Sequence, residues 1–554
     1  MSDAFAPLLI PAGGSPASAG RLATELGAGP LLADPGQVLP ADLAARALAL
    51  VPAWRAEAPE EACRAADGSP AGGEAARACP VSPLRRERLA ARLRTALEAG
   101  FAGVALDQPD APLALGLLGA GFCPDCQRAF NRELAREYGE QLEPVDARDL
   151  AREALAQASG AVGLDALPFG REFWRFRADS VARAVAAAAR AARDQARSAG
   201  RAVHLSARFA AMGPAQAAAA RHLDSAIFPA EPPRGNRAGA FRLLRAVMGR
   251  RPCAAELPAG TSGEALWRAA GLAAACGVDV LPLDEAEARA LAPARRLARE
   301  LAGRRGAPGP HRPVMECAVL YSAESDLWSG GRHRAAVAEA LDALAAAQVQ
   351  AAAVLDPGDA PPRAVLVLAG ADGLSPHEAH LVRRRVESGG GLLAFGRPVA
   401  VDHGGRPAPQ PFLPEGKPGG VRVGQGTLVE LPGLVSAPGS GLAPGPASLE
   451  PVSRAAQLLL GKGVRAASAL ARSPLHVSLC QDGEAVDVHL VSLDERPVRG
   501  ATLFLGVHVV DSPRRARFRS AEGADERITV NPSGYSVSSV LPAFRGWAVV
   551  SLPD

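Results

Sequence analysis

Eight short apolar runs separated by helical stretches constrain the first 305 residues more than any other feature. The runs fall at 6–12, 29–36, 47–54, 103–109, 203–210, 225–231, 252–259 and 278–283. Most are continuously apolar rather than alternating, as expected of parallel strands buried on both faces. Between them, Leu89, Leu93 and Leu97 recur along 84–99, which stops at Gly100. Residues 172–199 read as a long Ala/Arg helix ending at Gly200, and 264–275 as a helix ending near Gly277. Glycine just past the last helical residue is a common C-cap. Eight strand–helix units in about 300 residues predict a (β/α)8 TIM barrel over 1–305. The polar, Gly-rich stretch 56–78 reads as a surface loop. About ninety residues separate the fourth and fifth strands, and such an insertion belongs at the C-terminal mouth of the barrel, where long loops build sites.

After the Arg/Gly/Pro linker 303–313 a second α/β pattern begins. Strand, helix, two strands, helix and strand over 313–400 predict a small doubly wound, flavodoxin-like domain. No GxGxxG or Walker loop opens its first helix, so no nucleotide is assigned to it. Ser322 reads as a helix cap, and Val337, Leu341 and Leu344 as a core-facing stripe. Residues 401–473 read as a Gly/Pro-rich connection with a short helix. From Pro474 the period becomes two, as in Val486, Val488 and Leu490, and short alternating strands over 474–554 predict a β-sandwich.

Composition narrows the function classes. With 48% hydrophobic and 21% charged residues over 554 positions, wholesale disorder is not expected. The net charge is only +3, carried almost wholly by Arg, and no basic stripe with interleaved aromatics occurs. Nucleic acid is therefore not expected as a main partner. No run of apolar residues is long enough to span a bilayer, so a membrane partner is not expected. Residues 1–20 lack a basic start and a sustained apolar run, so no signal peptide is read there. The eight scattered cysteines do not form a disulfide framework, and a reducing cytoplasm fits them.

Polar residues at the C-terminal ends of barrel strands are where chemistry is sought. Asp107 closes strand four, Arg208 lies near the end of strand five, Glu231 follows strand six and Glu256 closes strand seven. A carboxylate in a buried strand is costly without a partner. Two readings stand: an ion pair with Arg208 or another arginine, or a catalytic or sugar-binding pair of carboxylates. Trp54, at the end of strand three, is either core or a sugar-stacking platform. His204 and His222 have no partners at metal-ligand spacing. Cys123 and Cys126 form a CxxC at the start of the insertion's helix. Zinc there needs four ligands; Cys79 is the third candidate and no fourth is apparent. A redox pair and simple packing are the other readings.

Several stretches resemble the beta-galactosidases that carry a separate trimerisation domain, in the glycoside hydrolase clan built on (β/α)8 barrels. Phe122 to Cys126 with Phe130, Leu134, Tyr138 and Gly139 is similar to that family's Cys-bearing helix, whose cysteines hold zinc in some members. Phe173, Arg175, Phe176, Ser180 and Val181 resemble the stretch leading to strand five. Glu256-Leu257-Pro258 with Leu266, Trp267 and Arg268 resembles the strand-seven segment, which implies Glu256 as nucleophile. Tyr321-Ser322 and Gly389 to Gly391 fit the accessory domain's first strand and Gly-rich turn. The family's strand-four motif ends Asp-Asn-Glu, with Glu as acid/base; here it reads Asp107-Gln108-Pro109, so the acid would have to be Asp107 or Asp110. The strand-five Asn is replaced by Arg208 and the strand-six Tyr by Phe228. The resemblance implies a small carbohydrate as ligand, no cofactor beyond zinc at the CxxC, and a homo-oligomer. It leaves open either hydrolysis of a glycosidic bond or a catalytically inactive carbohydrate-binding or assembly protein.

Overall fold

The computed structural model describes residues 8–9, 31–34 and most of 39–552, leaving out 158–166, 231–237, 305–311, 433–445 and a few shorter stretches, Trp54 among them. The chain divides into two compact units, with the boundary between Pro229 and Ala230.

The first unit holds six strands: β1 (Leu8–Leu9), β2 (Leu31–Ala33), β3 (Ala47–Pro52), β4 (Gly103–Asp107), β5 (His204–Arg208) and β6 (Ser225–Pro229). Each pairs in parallel with the next. Their apolar residues are buried on both faces, as the unbroken runs require; Ala47, Leu48, Ala49 and Val51 are examples. Gly103 is glycine for a local reason. A Cβ there would lie 2.0 Å from the His204 carbonyl oxygen, so the β4–β5 pairing closes only without one. Helix Pro83–Glu98 buries its Leu89, Leu93 and Leu97 stripe and packs against the 29-residue helix Gly170–Ser198.

The insertion after β4 has a core of its own. Helix Pro124–Tyr138 places Cys126, Phe130 and Leu134 on one buried face. They pack with Phe122, Phe173, Phe176 and three further cysteines. The stretch expected as a surface loop joins this core. Cys63, Ala66, Ala71 and Ala78 are all buried, and a bridge pairs Ala62 with Ala78. Its polar composition misled because a few small apolar side chains carry the packing.

The second unit begins with β7 (Cys253–Glu256) and β8 (Asp279–Leu281), again parallel. Next comes a six-stranded sheet in the order Ala351–Val354, Cys317–Leu320, Val365–Ala369, Gly391–Phe395, Gly426–Leu431 and Val421–Val423. All neighbours in it are parallel except the last pair. The last two strands lie in the stretch expected to be a connection. Leu428 and Leu431 are buried there, and the partner strand Gly391–Phe395 makes a sheet of a segment whose glycines and prolines suggested loop. Ser322 caps helix Ala323–Ser329 by accepting from the Ser325 N–H, and Val337, Leu341 and Leu344 are fully buried, both as expected. Two antiparallel sheets, of four and six strands, then enclose a core built on Val477, Leu479, Val488, Leu490, Phe518 and Phe544.

These elements make a (β/α)8 barrel, a doubly wound α/β domain and a C-terminal β-sandwich, the class expected from the sequence. No helix among the described residues is long and apolar enough to cross a membrane.

Candidate active site and metal centre

The β4 end is fixed by register. Asp107 sits opposite Pro52 on one side and Arg208 on the other. Arg208 Nη1 lies 3.0 Å from Asp107 Oδ1, and the side chains keep 21% and 24% of their exposure. The chain then turns sharply: Gln108 has φ +46°, a region that side-chain-bearing residues rarely adopt, and its N–H donates to the Arg208 carbonyl at 2.6 Å.

Asp110 lies beyond this turn and is fully buried. Its Oδ1 accepts from the Ala210 N–H at 2.8 Å. Its Oδ2 accepts from the Ala211 N–H at 3.1 Å and from Gln216 Nε2 at 2.6 Å. Burial pushes this carboxyl up, while the same donors pull it down. Three donors and no acceptor suit a carboxylate, so Asp110 clamps the β4 loop to the β5 loop.

Phe228 is buried and stacked on Phe209, with ring centroids 4.9 Å apart, and so presents an apolar layer. His204 Nε2 lies 2.7 Å from Ser225 Oγ. Glu256 closes β7 in the second unit, partly buried and in register with Leu281; its carbonyl accepts from the Ala230 N–H at 2.7 Å. Trp54 and Glu231 lie outside the described residues.

The insertion gathers a second cluster. Cys63, Cys79, Cys123 and Cys126 bring their sulfurs within 4.8 Å of one another, and all four are buried. Cys79 Sγ lies 3.2 Å from Cys126 Sγ, and the Gly121 N–H donates to Cys63 Sγ at 3.0 Å. Cys123 is the N-cap of helix Pro124–Tyr138, so Cys126 follows one turn on and faces the same way. The Cys63 thiol is held well below the usual range, chiefly by Cys123, then by Cys126 and Cys79. Cys79 and Cys126 are pushed well above it, in both cases chiefly by Cys123.

A tetrahedral zinc with bonds of about 2.3 Å places its sulfurs about 3.8 Å apart, and this cluster fits that size. A redox pair would need an accessible thiolate, which none of the four offers. The expectation that no fourth thiol stands beside these three is corrected: Cys63 completes the cluster.

No protein-family profile and no curated protein sequence matches the chain. Solved structures match it by shape. The beta-galactosidase of Bacillus circulans sp. alkalophilus superposes with a TM-score of 0.65 at 13% identity, over 100% of this chain and 99% of that one. The beta-galactosidase of Rahnella sp. R3 gives 0.63 at 13% identity, over 96% and 94%. The chain has a beta-galactosidase-like glycoside hydrolase fold. An α-L-fucosidase, isoenzyme 2 of Paenibacillus thiaminolyticus, follows with 0.59 at 12% identity, over 96% and 88%.

Within this glycoside hydrolase fold, sequence reasoning missed Cys63 and Gln216. Cys63 had a weak signal, as one more cysteine shortly before Cys79. Gln216 had none, because its partner Asp110 is 106 positions away.

Proposed function

We propose that this chain binds a small carbohydrate at the C-terminal ends of its barrel strands and does not cleave it. One observation carries the reading: neither carboxyl beside the β4 end is free to hand over a proton. Asp110 is buried with both oxygens engaged, and Asp107 is paired with the Arg208 guanidinium. A neighbouring cation favours the ionised carboxylate, whereas glycosidic cleavage needs a protonated acid at the leaving oxygen. Proteins of this fold named for galactosides and fucosides support sugar as the ligand class. Glu256, the residue that the resemblance gives as nucleophile, is the side chain whose role the test probes.

The test uses dinitrophenyl glycosides, whose leaving group needs no acid, alongside ordinary disaccharides. The expected result is no turnover of either, with calorimetric binding of a monosaccharide that Glu256→Gln weakens. Turnover of the dinitrophenyl substrates, abolished by Glu256→Gln, would instead make Glu256 a nucleophile that has lost only its acid.

We also infer that Cys63, Cys79, Cys123 and Cys126 hold a structural zinc. Four buried thiols of one closed set suit a site with no open position. When bound, zinc would supply crosslinking of the 62–79 loop to the insertion helix, not chemistry on substrate. Protein purified without chelators should carry about one zinc per chain; metal-free protein of unchanged stability would refute the assignment.

A further inference from the structure

We propose that Arg177 is a positioning residue: it balances the charge of the four-cysteine centre and, with the same guanidinium, holds the segment after β4. This rests on the zinc reading above.

Zinc with four thiolates carries a net charge of −2, placed among Phe122, Phe130, Phe173 and Phe176. Such a charge in an apolar core demands compensation. The Gly121 N–H offers one hydrogen bond, to Cys63. Among the described residues, a fixed cation beside it is Arg177, only 4% exposed in the middle of helix Gly170–Ser198. It lines, with Cys63, Cys126, Gly121 and Pro112, a cavity of about 10 Å³, too small for more than a single water.

Its N–H groups point elsewhere. Nη1 donates to the Gly116 carbonyl at 2.6 Å and to that of Leu117 at 2.9 Å. Nη2 donates to the Pro112 carbonyl at 2.6 Å. These three carbonyls belong to the segment that directly follows Asp110. Gly121 makes room for the arrangement: at φ +101°, a Cβ would stand 3.0 Å from Arg177 Cδ and 2.9 Å from the Phe173 ring. A buried arginine that only satisfied loop carbonyls would be as stable away from the thiolates. Placed here, it is stabilised when the centre is charged, so metal loading and the order of 112–117 are coupled.

The test measures zinc affinity by chelator competition and amide hydrogen exchange over 113–117, in the full chain. Arg177→Met should weaken zinc by about 10–100-fold, the range for outer-shell partners, and speed exchange at 113–117. Arg177→Lys keeps the charge but not the planar fork, so it should restore most of the zinc affinity and leave exchange fast. If the methionine variant does not fold, the lysine variant alone carries the test. Zinc affinity equal to wild type in Arg177→Met, or exchange at 113–117 unchanged in Arg177→Lys, would overturn the proposal. Wild-type protein without zinc would overturn the metal reading itself, a result seen before any variant is made.

Discussion

Asp107 and Arg208 face each other in register across β4 and β5, with 3.0 Å between carboxylate and guanidinium. Both are more than three-quarters covered, so neither partner is well solvated alone. Arg208→Gln should cost about 1–3 kcal/mol, the penalty for stranding a partly buried charge. Adding Asp107→Asn should recover part of that loss. Urea unfolding of the two single variants and the double variant checks this; strictly additive losses would mean the pair is not coupled.

Asp110 is expected to matter for stability and not for turnover. Asparagine would turn one acceptor oxygen into a donor facing the Ala211 N–H and Gln216 Nε2. Asp110→Asn should therefore destabilise the chain by about 1–3 kcal/mol. An unchanged unfolding midpoint would deny Asp110 its clamping role.

Cys63 should be as necessary to the metal as the CxxC itself. Cys63→Ser and Cys126→Ser are each expected to abolish stoichiometric zinc and lower the unfolding temperature, because a closed site tolerates no missing thiolate. Zinc retained by Cys63→Ser but lost by Cys126→Ser would reduce the set to three ligands.

His476 gives the sandwich side of the second unit a pH dependence. Burial, then the charges of Arg242 and His489, hold it well below its ordinary 6.5. Its Nε2 lies 3.5 Å from Arg242 Nη2, a geometry for a neutral, accepting ring. The unfolded chain binds the proton first, so this contribution is present above pH 6.5 and lost as pH falls below it. Between about pH 8 and pH 5, wild type should lose more stability than His476→Gln. Identical pH profiles would remove His476 as a source of acid sensitivity.

The barrel was legible because buried parallel strands need unbroken apolar runs, and all eight runs contain a strand. Gly426–Leu431 was hidden because its neighbours are rich in glycine and proline, and only pairing with Gly391–Phe395 makes it a strand. An ion pair of a strand-end carboxylate with Arg208 was one of two open readings; that Asp107 makes it follows from the register of β4 and β5. The fate of Asp110 was not legible: Ala210, Ala211 and Gln216 are ordinary residues until the fold brings them round. Cys63 was missed for the same reason, because a bridge between Ala62 and Ala78 is what brings it beside Cys79.

The most direct test of binding without cleavage is turnover of dinitrophenyl glycosides by the purified chain, followed beside calorimetric titration of the parent sugars. Heat of binding with no released dinitrophenolate above the uncatalysed rate is the expected outcome. Release of dinitrophenolate that disappears in Glu256→Gln would contradict it and restore the protein to the glycosidases.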